Sequence, residues 1–146
     1  MHIYDSSTAL GVITATLTDG AGNIKEQFTK PNLIVQVGKN FLATAVTTAS
    51  ASPFTYVAVG TNSTAATLAD TILGTELTRV AFSSSVTTNT ATITATFGAG
   101  FGTGALTEAG IFNNAVLGTM LSHVIFSVIN KAVADTLTIS WTITVG

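Results

Sequence analysis

Few side chains in this sequence are of types that do chemistry, and their spacing decides how far each could go. The two histidines, His2 and His123, are far apart, and neither stands in a carboxylate motif. A zinc site takes three or four ligands in a compact set. His123, inside "LSHVIF", is therefore expected to be a strand-face residue with a hydrogen-bond partner rather than a ligand. Cysteine is absent, which removes thiolate chemistry and disulfides. Serine is common, yet none sits in the G-x-S-x-G elbow of a hydrolase. Of the seven acids, Asp5, Asp19, Glu26, Asp70 and Asp135 fall in or near expected turns or termini, while Glu76 and Glu108 begin or occupy strands. Nothing marks two of them as a glycosidase pair. The run "GAGFGTG" (98–104) lacks the Lys-Ser/Thr of a phosphate loop and no helical pattern follows it. The basic residues Lys25, Lys30, Lys39, Arg79 and Lys131 are scattered and the net charge is −2, so there is no cationic stripe for nucleic acid. No catalytic, cofactor-binding or metal-ligating residue is expected. Arg79 and Glu108 stand out because each is a charge inside an otherwise uncharged strand. They are either separate surface residues or a pair, within the chain or between subunits.

The elements that would position these residues are mostly strands. In 136–145 the residues Leu137, Ile139, Trp141, Ile143 and Val145 alternate with Thr or Ser. Ile13, Ala15 and Leu17 alternate with Thr14, Thr16 and Thr18, and Ala91, Ile93, Ala95 and Phe97 with Thr90, Thr92, Thr94 and Thr96. A period of two with β-branched residues marks half-buried strands. Threonine suits their wet faces, because its branched Cβ fits the pleat and its hydroxyl tolerates water. "TDGAGN" (18–23) reads as a hairpin turn into a strand over 24–30. Further strands are expected over 54–60, 76–86, 105–112 and 119–129, with a polar loop over 60–70. One segment breaks the alternation. Ile34, Val37, Phe41, Leu42 and Ala45 form a stripe of helical spacing, which predicts a helix over residues 33–47, with Gly38 a weak point inside it. About eight strands, one helix and glycine-rich turns predict an all-β fold, an antiparallel β-sandwich that is jelly-roll-like. The length of 146 residues and the lack of a linker predict a single domain over 1–146.

Composition adds the functional constraint. Charged residues make up only 8% of the chain, against about 25% in average proteins, while 47% is apolar. Such a balance favours association, so much of the surface is expected to be covered by other subunits. The alternative is a threonine-rich monomer. No apolar run is long enough to span a bilayer, and no basic segment followed by an apolar run marks a leader, so no membrane partner is expected.

Four stretches in order, "PNLIVQVGKNFLA" (31–43), "YVAVGTNSTAATLADTILGTELTRV" (56–80), "LTEAGIFN" (106–113) and "INKAVADTLTISWTITVG" (129–146), resemble small virion structural proteins of tailed bacteriophages. Such proteins often carry an N-L-[IV]…G…F-[IL]-A segment, a [VA]-x-[VL]-G-T strand, an L-x-x-E-x-x-R stretch and an I-T-E-[AV]-G-[IL]-F strand. The third is matched here by Leu73, Glu76 and Arg79. The fourth is matched by Thr107 to Phe112, with Leu106 in place of the leading isoleucine. The resemblance covers the chain from about Pro31 onward and brings no catalytic residue. It implies a virion location and a structural role: decorating or cementing the capsid shell as a homo-oligomer, a trimer being expected, bound to other virion proteins such as the major capsid protein. A neck, collar or tail-fibre component is the alternative. A carbohydrate-binding module is the alternative of another class, but its natural stacking residue, Trp141, is in phase with Leu137 and Ile143 and is expected in the core.

Overall fold

The computed structural model of the chain describes residues 9–49 and 52–146. Its elements are β1 (Ala9–Thr18), β2 (Ile24–Ile34), α1 (Gln36–Ala45), β3 (Tyr56–Gly60), β4 (Glu76–Ala81), β5 (Ser83–Thr87), β6 (Thr90–Phe97), β7 (Gly104–Phe112), β8 (Met120–Lys131) and β9 (Thr136–Val145). The strands form one antiparallel sheet of nine in the order β4-β3-β7-β8-β2-β1-β9-β6-β5. The all-β, antiparallel fold is the one expected. Rather than two separate sheets, however, the layers are halves of one sheet that rolls almost closed on itself. Strand β2 belongs to both halves. Its residues Ile24 to Asn32 pair with β1, while Leu33 and Ile34 pair with His123 and Ser122 of β8.

The alternation read from the sequence sets the inner face. Ile13, Ala15 and Leu17 of β1, Ile93, Ala95 and Phe97 of β6, and Leu137, Ile139 and Trp141 of β9 are all buried. They pack in one cluster with Val57, Val59, Leu106 and Ile111 from the other half of the sheet. The Trp141 indole N–H donates to Asn32 Oδ1 at 2.9 Å, so its polar edge is satisfied inside the core.

Two expected elements are drawn differently. The helix begins at Gln36 rather than Leu33, because Leu33 and Ile34 are taken by the ladder with β8 and Val35 caps the helix in an extended conformation. Gly38 suits its place: a Cβ there would lie 2.8 Å from Leu121 Cα, so glycine lets the helix lie directly on β8. The run 76–86 is two strands. β4 pairs with β3 and β5 pairs with β6, and Phe82 between them donates its N–H to Thr55 O at 2.9 Å. β4 and β5 are the two edges of the sheet, so this single residue carries the chain across the seam of the incompletely closed barrel. Among the described residues no helix is long and apolar enough to cross a membrane.

Candidate functional site

The densest cluster of ionisable groups lies outside the main core, on the outer side of β7 and β8. The register sets Gly110 of β7 opposite His123 of β8, and Gly60 of β3 opposite Glu108. The loop between β3 and β4 folds over this surface. Its Leu73 is buried with Val35, Ala58, Phe112 and Met120 in a second, smaller apolar cluster. Beneath the loop Glu108 is completely buried. Its Oε1 accepts the backbone N–H of Asn62 at 3.2 Å and of Thr75 at 2.8 Å. Its Oε2 accepts the N–H of Gly74 at 2.9 Å and faces His123 Nε2 at 2.9 Å. The other ring nitrogen, Nδ1, lies 2.7 Å from Asp70 Oδ2. Asp70 also accepts the backbone N–H and the hydroxyl of Thr67, each at 2.8 Å. Burial pushes the Asp70 carboxyl up, but these bonds and the one to His123 outweigh it and hold the carboxyl below its ordinary value. Gly60 permits the arrangement, since a Cβ there would meet Glu108 Oε1 at 2.5 Å and the carbonyl of Thr75.

An Asp–His–Glu line invites comparison with a proton relay, and its geometry argues against that use. A general base needs a free ring nitrogen within reach of a substrate proton. Here both nitrogens of His123 face carboxylates, and Glu108 is saturated by four contacts. Only the imidazolium form donates to both carboxylates at once. A cavity of about 320 Å³ opens beside His123, lined by Asn62, Thr64, Ile72 and Gly74 among others, but no nucleophile is hydrogen-bonded to the imidazole. The cluster fastens the β3–β4 loop to the sheet. Among the described residues, no group of three or more His, Asp or Glu side chains is arranged to hold a metal ion. His2 and Asp5 lie outside the described residues.

Arg79 and Glu108 do not pair with each other. Arg79 forks onto its own strand neighbour Glu76, with Nε to Oε1 at 2.9 Å and Nη2 to Oε2 at 2.8 Å. Its Nη1 donates to the carbonyls of Asn114 and Leu117, and its guanidinium stacks 3.8 Å above the centre of the Phe112 ring. A third set ties the turn before β9. Asp135 accepts Lys25 Nζ at 2.7 Å and the Ala132 N–H at 2.8 Å, and these hold its carboxyl low. The neighbouring Lys131 is buried and donates to Gly98 O at 2.9 Å. Burial lowers its pKa, against an opposing pull from Asp135.

Two other surfaces remain as candidates for recognition. The first is an apolar groove of about 470 Å³ at the mouth of the barrel, beside the edge strand β5 and lined by Leu42, Phe54, Phe82, Val86, Leu121 and Ile143 among others. The second is the outer face of the half made by β2, β1, β9, β6 and β5. Its ranks follow from the register: Thr29, Thr14, Ser140, Thr94 and Ser83 run side by side across the five strands, and Pro31, Val12, Thr142, Thr92 and Ser85 form the next rank. The Thr14 and Thr29 hydroxyls bond at 2.9 Å and those of Thr90 and Thr144 at 3.1 Å. No Asp, Glu, Lys or Arg stands in these ranks. Trp141, the residue offered for sugar stacking, is fully buried on the opposite side of β9 and absent from both surfaces. Compared with known proteins, the chain matches no family model, no curated protein and no solved structure.

Proposed function

We propose that this chain is a structural subunit of a tailed-bacteriophage virion that decorates or cements the capsid shell as a homo-oligomer. The observation that carries this reading is the uncharged outer face of β1, β9 and β6, where threonine and serine predominate beside Leu10 and Val12 of β1. A face of this kind is soluble while it is free. It can also be covered by a neighbour without stripping water from charges, which costs several kcal/mol per ion. The interior is compatible with the same role. Its strongest polar contacts fasten loops to the sheet, and both nitrogens of His123 face carboxylates that backbone N–H groups already hold. The ordered motifs from Pro31 to Gly146 point to the same class of protein. A compact β body of this kind suits a lattice point.

Quantitative mass spectrometry of purified virions tests the reading. The expected result is a copy number within a small factor of that of the major shell protein. A copy number far below the shell protein's moves the subunit to the neck, collar or tail. Absence from the particle overturns the virion role.

A further inference from the structure

The two edges of the sheet are unlike. At β4 the outward charges Glu76 and Arg79 bond each other, and Arg79 also ties the turn after β7 through the carbonyls of Asn114 and Leu117. At β5 nothing corresponds among the described residues. Ser83, Ser84, Ser85, Val86 and Thr87 are all exposed, none is charged, and among the described residues the strand is paired on one side only, with β6. Soluble proteins usually blunt such an edge with lysine, proline, a bulge or a covering segment. We propose that β5 is a self-association edge, at which two copies of this chain pair their β5 strands antiparallel across a two-fold axis at Ser85.

Three features of the edge fit a second copy. An exposed ladder of backbone N–H and C=O groups is matched by another extended strand. In a two-fold contact the residue on the axis meets its own counterpart and each neighbour lies close to its own, so a charge there would be brought near its like. The sequence 83–87 holds none. The register also suits both faces. Centring the pair on Ser85 sets Ser84 opposite Val86 and Ser83 opposite Thr87. Ser84 and Val86 line the apolar groove, so each Val86, 73% exposed in the single chain, is covered at the rim of the partner's groove. On the other side Ser83, Ser85 and Thr87 continue the threonine ranks of β6 into the partner. Five residues bury far less than the roughly 800 Å² per partner of a standard interface, so the contact is weak in dilute solution and gains strength where copies are held side by side. It deepens the homo-oligomer reading above. A two-fold contact sets an even copy number: a dimer, or trimers joined in pairs, in place of the lone trimer expected from the sequence.

The absence of cysteine gives a clean test. Ser85→Cys places one thiol per chain at the axis, where directly opposed Cβ atoms lie about 4.5–5.5 Å apart, close to disulfide range. Mild oxidation is expected to yield a covalent dimer. Thr16→Cys, on the same sheet face but three strands further in, is expected to stay monomeric on a denaturing gel. Ser85→Lys sets like charges opposite each other and is expected to weaken self-association about tenfold in sedimentation equilibrium, with an unchanged melting temperature showing that the fold is intact. If the parent associates but Ser85→Cys does not cross-link and Ser85→Lys leaves the association constant unchanged, the β5 proposal falls while the homo-oligomer reading stands on another surface. A parent that stays monomeric at the highest concentration, with no Ser85→Cys cross-link, overturns the proposal as well.

Discussion

Replacing Glu108 by glutamine tests whether the buried His123 cluster is a loop anchor. The change keeps the size of the side chain and removes one oxygen acceptor. Glu108 Oε1 accepts two backbone N–H groups, and Oε2 accepts one and faces His123 Nε2. If the amide nitrogen takes the Oε1 position, it opposes the N–H groups of Asn62 and Thr75. If it takes the Oε2 position, it opposes the Gly74 N–H and leaves His123 facing an amide, a contact the neutral ring can accept. The second placement is the milder, and it still strands one buried donor at a cost of about 1–3 kcal/mol. Losing the carboxylate beside a fully buried imidazole brings the total towards the 3–5 kcal/mol typical of breaking a buried pair. At about 2–4 °C per kcal/mol for a chain of this size, Glu108→Gln should lower the melting temperature by roughly 6–20 °C. Amide exchange should speed up at Asn62, Gly74 and Thr75 before it does in β1 or β9, because the loop is released before the core. A variant that melts with the parent and keeps those three amides protected would refute the anchor.

Trp141→Ala removes the largest side chain of the core and leaves Asn32 Oδ1 without its donor. It should cost about 3–5 kcal/mol by chemical denaturation, and a melt unchanged from the parent would show the phase of β9 to be misread. The acid limb of stability follows from Asp19, Asp70 and Asp135, each held below its ordinary value. A depressed carboxyl contributes stability that is complete above its unfolded value and is lost as pH falls through the folded one. The melting temperature should therefore stay level from neutral pH to about 5 and decline below about 4; Asp70→Asn should flatten that decline.

The sequence carried the strands well where one face is buried and the other wet. In β1, β6 and β9 the alternation of aliphatic and hydroxyl residues fixes the phase of every side chain, and burial follows it. It carried less where two elements compete for the same residues. Leu33 and Ile34 fit a helical stripe and a strand equally well, and the nearby β8, distant in sequence, decides between them. The break at Phe82 has no glycine or proline to announce it. It exists because the sheet must change partners there, from β3 to β6. The polar cluster was half legible. A charge at Glu108 in a strand of neutral residues signals a partner, but the loop that supplies Asp70, Gly74 and Thr75 is folded over it by tertiary contacts of Leu73. No local spacing ties His123 to a carboxylate 53 positions away.

Where the few charges lie matters more for function than how few there are. Lys25 with Asp135 ties a turn to β2, Arg79 with Glu76 ties the turn after β7, and Asp70 and Glu108 with His123 tie the β3–β4 loop. Asp19 closes the first hairpin by accepting the N–H groups of Ala21 and Asn23. These ionisable groups thus fasten loops, where short-range pairing holds irregular backbone that strand ladders cannot reach. The broad face of β1, β9 and β6 is left to threonine and serine, with Leu10 and Val12 at one end of β1, and its cross-strand contacts need no counter-ion. A fully solvated monomer has no need of that division, since charges on an open face cost little and improve solubility. A subunit whose face is to be covered does need it, because each exposed ion would have to be desolvated or paired at the interface. The separation of fastening charges from a neutral face therefore supports the assembly reading more strongly than low net charge alone, and it predicts that lysine placed at Thr94 or Ser140, harmless to folding, will block assembly.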